Sequence, residues 1–140
     1  MKLSYKYLGF LLIVYSIVAI ASCNKGGKTK YEEYLIHVDS IQVADTVNLG
    51  SKFSVVFFGI IGYDGCSSFA RFIAERKSGR YKLMVVGKRK TGPNLACPDY
   101  LPMLDGEKLE LLADSSGVLK LEIVNPGLNQ ILSKEIFVRN

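Results

Sequence analysis

From Tyr34 to the C-terminus, apolar and polar residues alternate, and the alternation breaks every eight to twelve residues at clusters of glycine, proline, aspartate or serine. A period of two places successive side chains on opposite faces of an extended strand, whereas a helix would need a period near 3.6. Tyr34, Ile36 and Val38 alternate, and the phase then slips at Asp39-Ser40 to Ile41 and Val43. A slip of one residue turns a strand's apolar set to the other face, so this one marks a bulge or a strand that changes sheets. Phe53, Val55 and Phe57 form the next run, with Val56 and Phe58 making its second face apolar too.

A third strand is expected over 66–76, with Ala70, Phe72 and Ala74 facing opposite Phe69 and Ile73. Ser78-Gly79 then turns the chain into Tyr81, Leu83 and Val85. Further runs follow at Leu109 and Leu111, at Leu119, Leu121 and Ile123, and at Leu132, Ile136 and Val138. Asp114-Ser115-Ser116-Gly117 and Asn125-Pro126-Gly127 supply the turns between them. About seven short strands without a helix predict an all-β domain over 31–140, an immunoglobulin-like antiparallel sandwich, with a small closed barrel as the alternative.

The first 23 residues read differently. Lys2 and Lys6 precede an almost wholly apolar run from Leu8 to Ala21, which closes on Ile20-Ala21-Ser22-Cys23. That segment resembles the lipobox of bacterial lipoproteins, in which an aliphatic residue and two small ones precede the cysteine that becomes the lipidated first residue. The resemblance implies a signal peptide over 1–22, acylation of Cys23, and a membrane partner reached through that lipid. The apolar run of about 16 residues would reach only ~24 Å as a helix, short of the ~30 Å hydrocarbon core. Asn24 follows the cysteine where aspartate marks inner-membrane retention in well-known diderm bacteria, so the expected location is the outer membrane of the envelope. Asn24 to Lys30 completes a flexible tether over 23–30 that spans roughly 15 Å.

With Cys23 assigned to lipid, Cys66 and Cys97 remain. Two cysteines in an oxidising compartment point to one disulfide, contributing at most roughly 3.5–4 kcal/mol through loop closure. A zinc site would need four close ligands, and the single histidine, His37, cannot complete one. No cofactor or metal is therefore expected. Without Lys2 and Lys6 the chain keeps 16 basic against 13 acidic residues, a net charge of +3 that gives no reason to expect a nucleic-acid partner.

Asp39-Ser40-Ile41 in the first strand, Leu49-Gly50 before the second, Gly65-Cys66 opening the third and a final Ile136-Phe137-Val138 resemble the small Ig-like lipoproteins of unknown function from Bacteroidota. The resemblance covers most of 35–138 and implies a fold but no shared activity.

No catalytic signature accompanies this pattern. His37 reads as a surface or edge histidine, and no Gly-x-Ser-x-Gly elbow occurs. Asp64, Asp99, Asp105 and Glu107 fall in loops, but their spacing matches no calcium loop. Two surfaces stand out as partner-binding candidates. Arg76, Lys77, Lys88, Arg89 and Lys90 belong to a basic stretch within 71–90 that would suit an anionic surface, or would discourage edge-to-edge pairing. The second is a pair of loops that the expected disulfide would draw together, bringing Tyr63 and Asp64 near Asp99 and Tyr100. In the long connection from Thr91 to Glu107, Leu101, Met103 and Leu104 either plug the core or serve binding. The chain thus reads as a non-catalytic binding or accessory module for a protein or glycan. The alternative is an inhibitor of an envelope hydrolase of lysozyme or protease type, since a rigid stapled β domain suits blocking by a loop. Ser78-Gly79-Arg80-Tyr81 is one residue short of the Ser-Gly-x-Arg-Tyr loop in lysozyme-inhibiting lipoproteins, and a hairpin turn accounts for its Ser-Gly.

Overall fold

The computed structural model describes residues 29–140. The expected signal peptide over 1–22, the lipobox-like segment and Cys23 lie outside them. Nine strands follow in order: β1 (Lys30–Leu35), β2 (Ser40–Gln42), β3 (Thr46–Asn48), β4 (Lys52–Phe58), β5 (Ser67–Lys77), β6 (Arg80–Thr91), β7 (Glu107–Leu112), β8 (Gly117–Val124) and β9 (Ile131–Arg139). They make a six-stranded sheet and a three-stranded sheet, the latter in the order β2-β4-β7. Lys30, expected in the tether, is already paired with Thr91.

The slip at Asp39-Ser40 is where the chain changes sheets. β1 pairs with β6 in the large sheet, and β2 pairs with β4 in the small one. β5 runs along one edge of β6 from Ser67–Arg89 down to the Lys77–Arg80 turn. The other edge of β6 is therefore shared: β8 takes Arg80 to Leu83, and β1 takes Val86 to Thr91. β9 and β3 extend the sheet beyond β8.

Two expectations are corrected here. The strand number is nine rather than about seven, because β1, β2 and β3 are three short pieces of the chain that precedes β4. The sheets are also not wholly antiparallel, since β6–β8 and β3–β9 are parallel. Parallel neighbours need a crossover, and β7 supplies it by carrying the chain through the opposite sheet between β6 and β8. Alternation reports which face a residue takes but not the direction of the neighbouring strand. The two sheets share no named strand pairing, so the alternative of a closed barrel is set aside among the described residues.

Between the sheets lies one apolar core. Phe53, Val55 and Phe57 of β4 meet Tyr81, Leu83 and Val85 of β6, Leu119, Leu121 and Ile123 of β8, and Ile136 and Val138 of β9. β5 departs from simple alternation. A bulge at Ala70 shifts its register, so Phe69 and Phe72 both turn to the core instead of facing apart. Their ring centroids are 4.7 Å apart, and Phe72 continues to Phe57 at 4.9 Å, within the range of favourable aromatic pairs.

β8 and β1 both leave β6 near its middle, and the gap between them is closed by a side chain. Asn125, just past β8 and only 7% exposed, accepts the Val38 N–H at 2.8 Å and donates to the Val38 carbonyl at 2.9 Å. Its amide stands in for a strand partner where Val38 has left one sheet and not yet reached the other.

Candidate functional site

The Cys66–Cys97 bridge is present, with 5.1 Å between Cα atoms. It fastens the end of the β4–β5 loop to the long β6–β7 connection. Backbone bonds reinforce it: Gly65 N–H donates to Pro98 O at 2.8 Å, Ile61 N–H to Pro102 O at 2.8 Å, and Leu104 N–H to Gly59 O at 2.8 Å. Leu104 is fully buried, but Leu101 and Met103 stay exposed. The expected plug is thus one residue deep. A Cβ on Gly65 would collide with the Tyr100 ring lying against it, so any larger residue there displaces that ring. Gly62 meets Ser67 in the same way.

Pinned like this, the loop forms one wall of a cleft of about 590 Å³. Ile60, Ile61, Gly62, Tyr63 and Asp64 make that wall. Leu35, His37 and Asp39 line the cleft from the end of β1 and the segment after it, and Ser67, Arg89 and Pro126 complete the lining. The Tyr34 hydroxyl donates to Ile61 O at 2.7 Å and ties β1 to the loop. Leu35, His37 and Asp39 share a side because residues two apart on extended backbone do so. The Asn125 clasp on Val38 holds that segment in place.

The cleft's ionisable groups lie in two pairs. Arg89 Nη2 lies 2.6 Å from Asp64 Oδ2, and Asp64 Oδ1 also accepts the Cys66 N–H at 3.1 Å. The Arg89 guanidinium, with help from the Cys66 N–H and Ser67, holds the Asp64 carboxyl below the usual aspartate range despite partial desolvation. His37 Nε2 lies 3.7 Å from Asp39 Oδ1, and no hydrogen bond joins His37 to a serine or cysteine among the described residues. Asp64 lies close to Cys66 and Cys97, but sulfurs bonded to each other cannot act as thiolate ligands, so this trio is no metal site.

Of the four expected loop residues, Tyr63 and Asp64 line the cleft. Tyr63 is 90% exposed and projects freely, while Asp64 is committed to Arg89 and to its own loop. Tyr100, still half exposed, packs on Gly65 behind the cleft, and exposed Asp99 stands beside it. Tyr63 and Tyr100 therefore flank the staple without sharing a surface pocket.

The expected basic surface does not form a single patch. Arg76 and Lys77 sit at the hairpin end, and Lys88, Arg89 and Lys90 sit about eight residues along β6, roughly 27 Å away. Arg76 is a clasp: it pairs with Asp114, donates to the carbonyls of Lys77 and Arg80, and stacks 4.7 Å from the Tyr81 ring centroid. Lys88 and Arg89 stand opposite Glu33 and Glu32 in the β1–β6 register. Lys88 also lies 5.7 Å over the Tyr31 ring. Acids distant in sequence divide what the local composition gathers.

Nothing in the sequence marks His37, Asp39 or Ile60 as binding residues. The signal available was the shared face of Leu35, His37 and Asp39, but nothing in the sequence places the loop of Tyr63 beside it. No family model, curated protein or solved structure matches this chain.

Proposed function

We propose that this chain is a lipid-anchored module of the bacterial cell envelope that binds a protein or glycan partner without catalysis. The observation that carries the reading is the cleft, which combines apolar lining with a projecting tyrosine and the ion-paired Asp64 on a loop fixed by a disulfide. A wall held rigid before binding lowers the ordering cost of recognition. Tyrosine offers contact area and a polar tip for little side-chain entropy. Acylation at Cys23, with the tether after it, would hold the domain at the outer membrane. The immunoglobulin-like part of the reading rests on two facing sheets and on a first strand divided between them. The β6–β8 parallel pairing is this chain's own departure from the fully antiparallel form. A second reading, inhibition of an envelope hydrolase, is favoured by one observation: Tyr63 stands out from a stapled loop, a shape that can enter an enzyme's cleft.

Two experiments test the proposal. Metabolic labelling with a fatty-acid analogue should mark wild type and not Cys23→Ala, and equal labelling overturns the anchor. Capture from solubilised envelope should lose its partner when Tyr63→Ala is combined with Asp39→Ala. Full retention of every captured species by that double variant overturns the cleft. A tyrosine-centred contact should change little between low and high salt, whereas binding through Lys88 and Lys90 should weaken steeply. Inhibition of a purified envelope hydrolase, abolished by Tyr63→Ala, would select the second reading.

A further inference from the structure

β5 is an open edge. Its inner side is paired with β6 along the whole hairpin, and among the described residues no strand or loop is bonded to its outer side. Ser78 and Gly79 make a two-residue turn, so Lys77 and Arg80 are the closing hydrogen-bonded pair. Alternation from that pair directs the backbone groups of Glu75 and Ile73 toward β6 and those of Phe72 and Ala74 outward. An edge of this kind is a template for one more strand.

The sequence of the edge states which strand fits. We infer that β5 pairs antiparallel with β5 of a second copy of this chain, about a two-fold axis at Ile73. That register sets Arg71 opposite the second copy's Glu75 and Glu75 opposite its Arg71. It sets Phe72 opposite Ala74, ring against small residue, and Ile73 against itself. The outward-facing Phe72 and Ala74 then face each other as hydrogen-bonded pairs. Neighbouring registers lack this agreement. Moving the axis to Ala74 puts Arg71 against Lys77, and moving it to Glu75 puts like charges face to face. Moving it to Phe72 leaves Arg71 and Glu75 opposite Ile73 and Phe69. Odd registers match outward backbone groups with inward ones. Arg71 pairs across β6 with Glu33, and its guanidinium has donors enough for a second carboxylate beside the first. A two-fold interface of this type is closed, so pairing stops at a dimer.

Cysteine trapping in the full chain, produced in a bacterial envelope, tests the register independently of what the cleft binds. Non-hydrogen-bonded partners on antiparallel strands have Cα atoms about 4.5 Å apart, within disulfide reach. Ile73→Cys should therefore run as a disulfide-linked dimer on a non-reducing gel. Glu75→Cys alone places its sulfur about four residues, roughly 14 Å, from its symmetry mate, and should give at least about tenfold less dimer. Arg71→Cys combined with Glu75→Cys should restore the linked band while neither single variant forms it. Adding Ala74→Pro, which removes an outward N–H without touching a β6 bond, should abolish the band in each case. Equal trapping at positions 73 and 75, trapping that survives Ala74→Pro, or no linked dimer in either trapping variant overturns the inference.

Discussion

Replacing Asn125 by alanine tests whether a side chain substitutes for a missing strand. Val38 is 1% exposed, and its N–H and C=O both bond to the Asn125 amide, at 2.8 and 2.9 Å. Alanine leaves both groups buried without that partner. Each orphaned buried polar group costs about 1–3 kcal/mol, and partial relaxation of an irregular segment makes about 2–4 kcal/mol the expected total. For a domain of this size, a shift of roughly 4 °C per kcal/mol converts this to a Tm lowered by about 8–16 °C. Thermal unfolding followed by far-UV circular dichroism reads it directly, and a urea midpoint that falls at constant slope would confirm that the folded state is the one affected. Asn125→Asp refines the test. At neutral pH its carboxylate still accepts the Val38 N–H but faces the Val38 carbonyl with no proton to donate. Burial raises the pKa of such a group, so the variant should regain stability as pH falls toward 4 and the acid becomes a donor again. A fall of less than about 2 °C for Asn125→Ala, roughly 0.5 kcal/mol, would refute the clasp.

Three other outcomes follow from the structure. Replacing Cys66 and Cys97 together by serine should cost at most about 3–4 kcal/mol in denaturant unfolding, the loop-closure value for a separation of 31 residues. The β spectrum should survive, because the Gly65–Pro98 and Ile61–Pro102 backbone bonds remain. Gly62→Ala should destabilise by about 1–3 kcal/mol in the same assay, since its Cβ would force the loop off Ser67. The Asp64–Arg89 pair gives a signed pH dependence: the folded carboxyl titrates below its ordinary value, so its contribution is complete above about pH 4 and disappears as pH falls through the depressed value. Wild type should therefore melt above Asp64→Asn at pH 6, and the two melting temperatures should converge in strong acid.

How much of this was legible depends on the range over which each cause acts. Phe53, Val55 and Phe57 announce β4 because burial on one face of a strand repeats every second residue. The slip at Asp39-Ser40 marks the change of sheet for the same reason. Ser78-Gly79 closes its hairpin locally, and Cys66 and Cys97 were the two thiols expected to pair once the lipobox resemblance set Cys23 apart. The bulge at Ala70 was not legible, since Phe69 and Phe72 fit alternation equally well on opposite faces; Phe72 is held inward against Phe57, and Phe69 against Phe72. Arg76 looked like part of a basic surface until Asp114, distant in the chain, came beside it.

The all-β character and the strand runs were thus determined by the sequence itself, because alternation and turn chemistry act within a few residues; the disulfide was expected from the sequence only through the resemblance that sets Cys23 apart. Tertiary structure alone decided the β6–β8 parallel pairing, the Asn125 clasp and the cleft that brings His37 and Asp39 together with Tyr63. Each of these joins segments far apart in the chain, and their meeting is fixed by how two sheets bury one core rather than by any local preference of the residues involved.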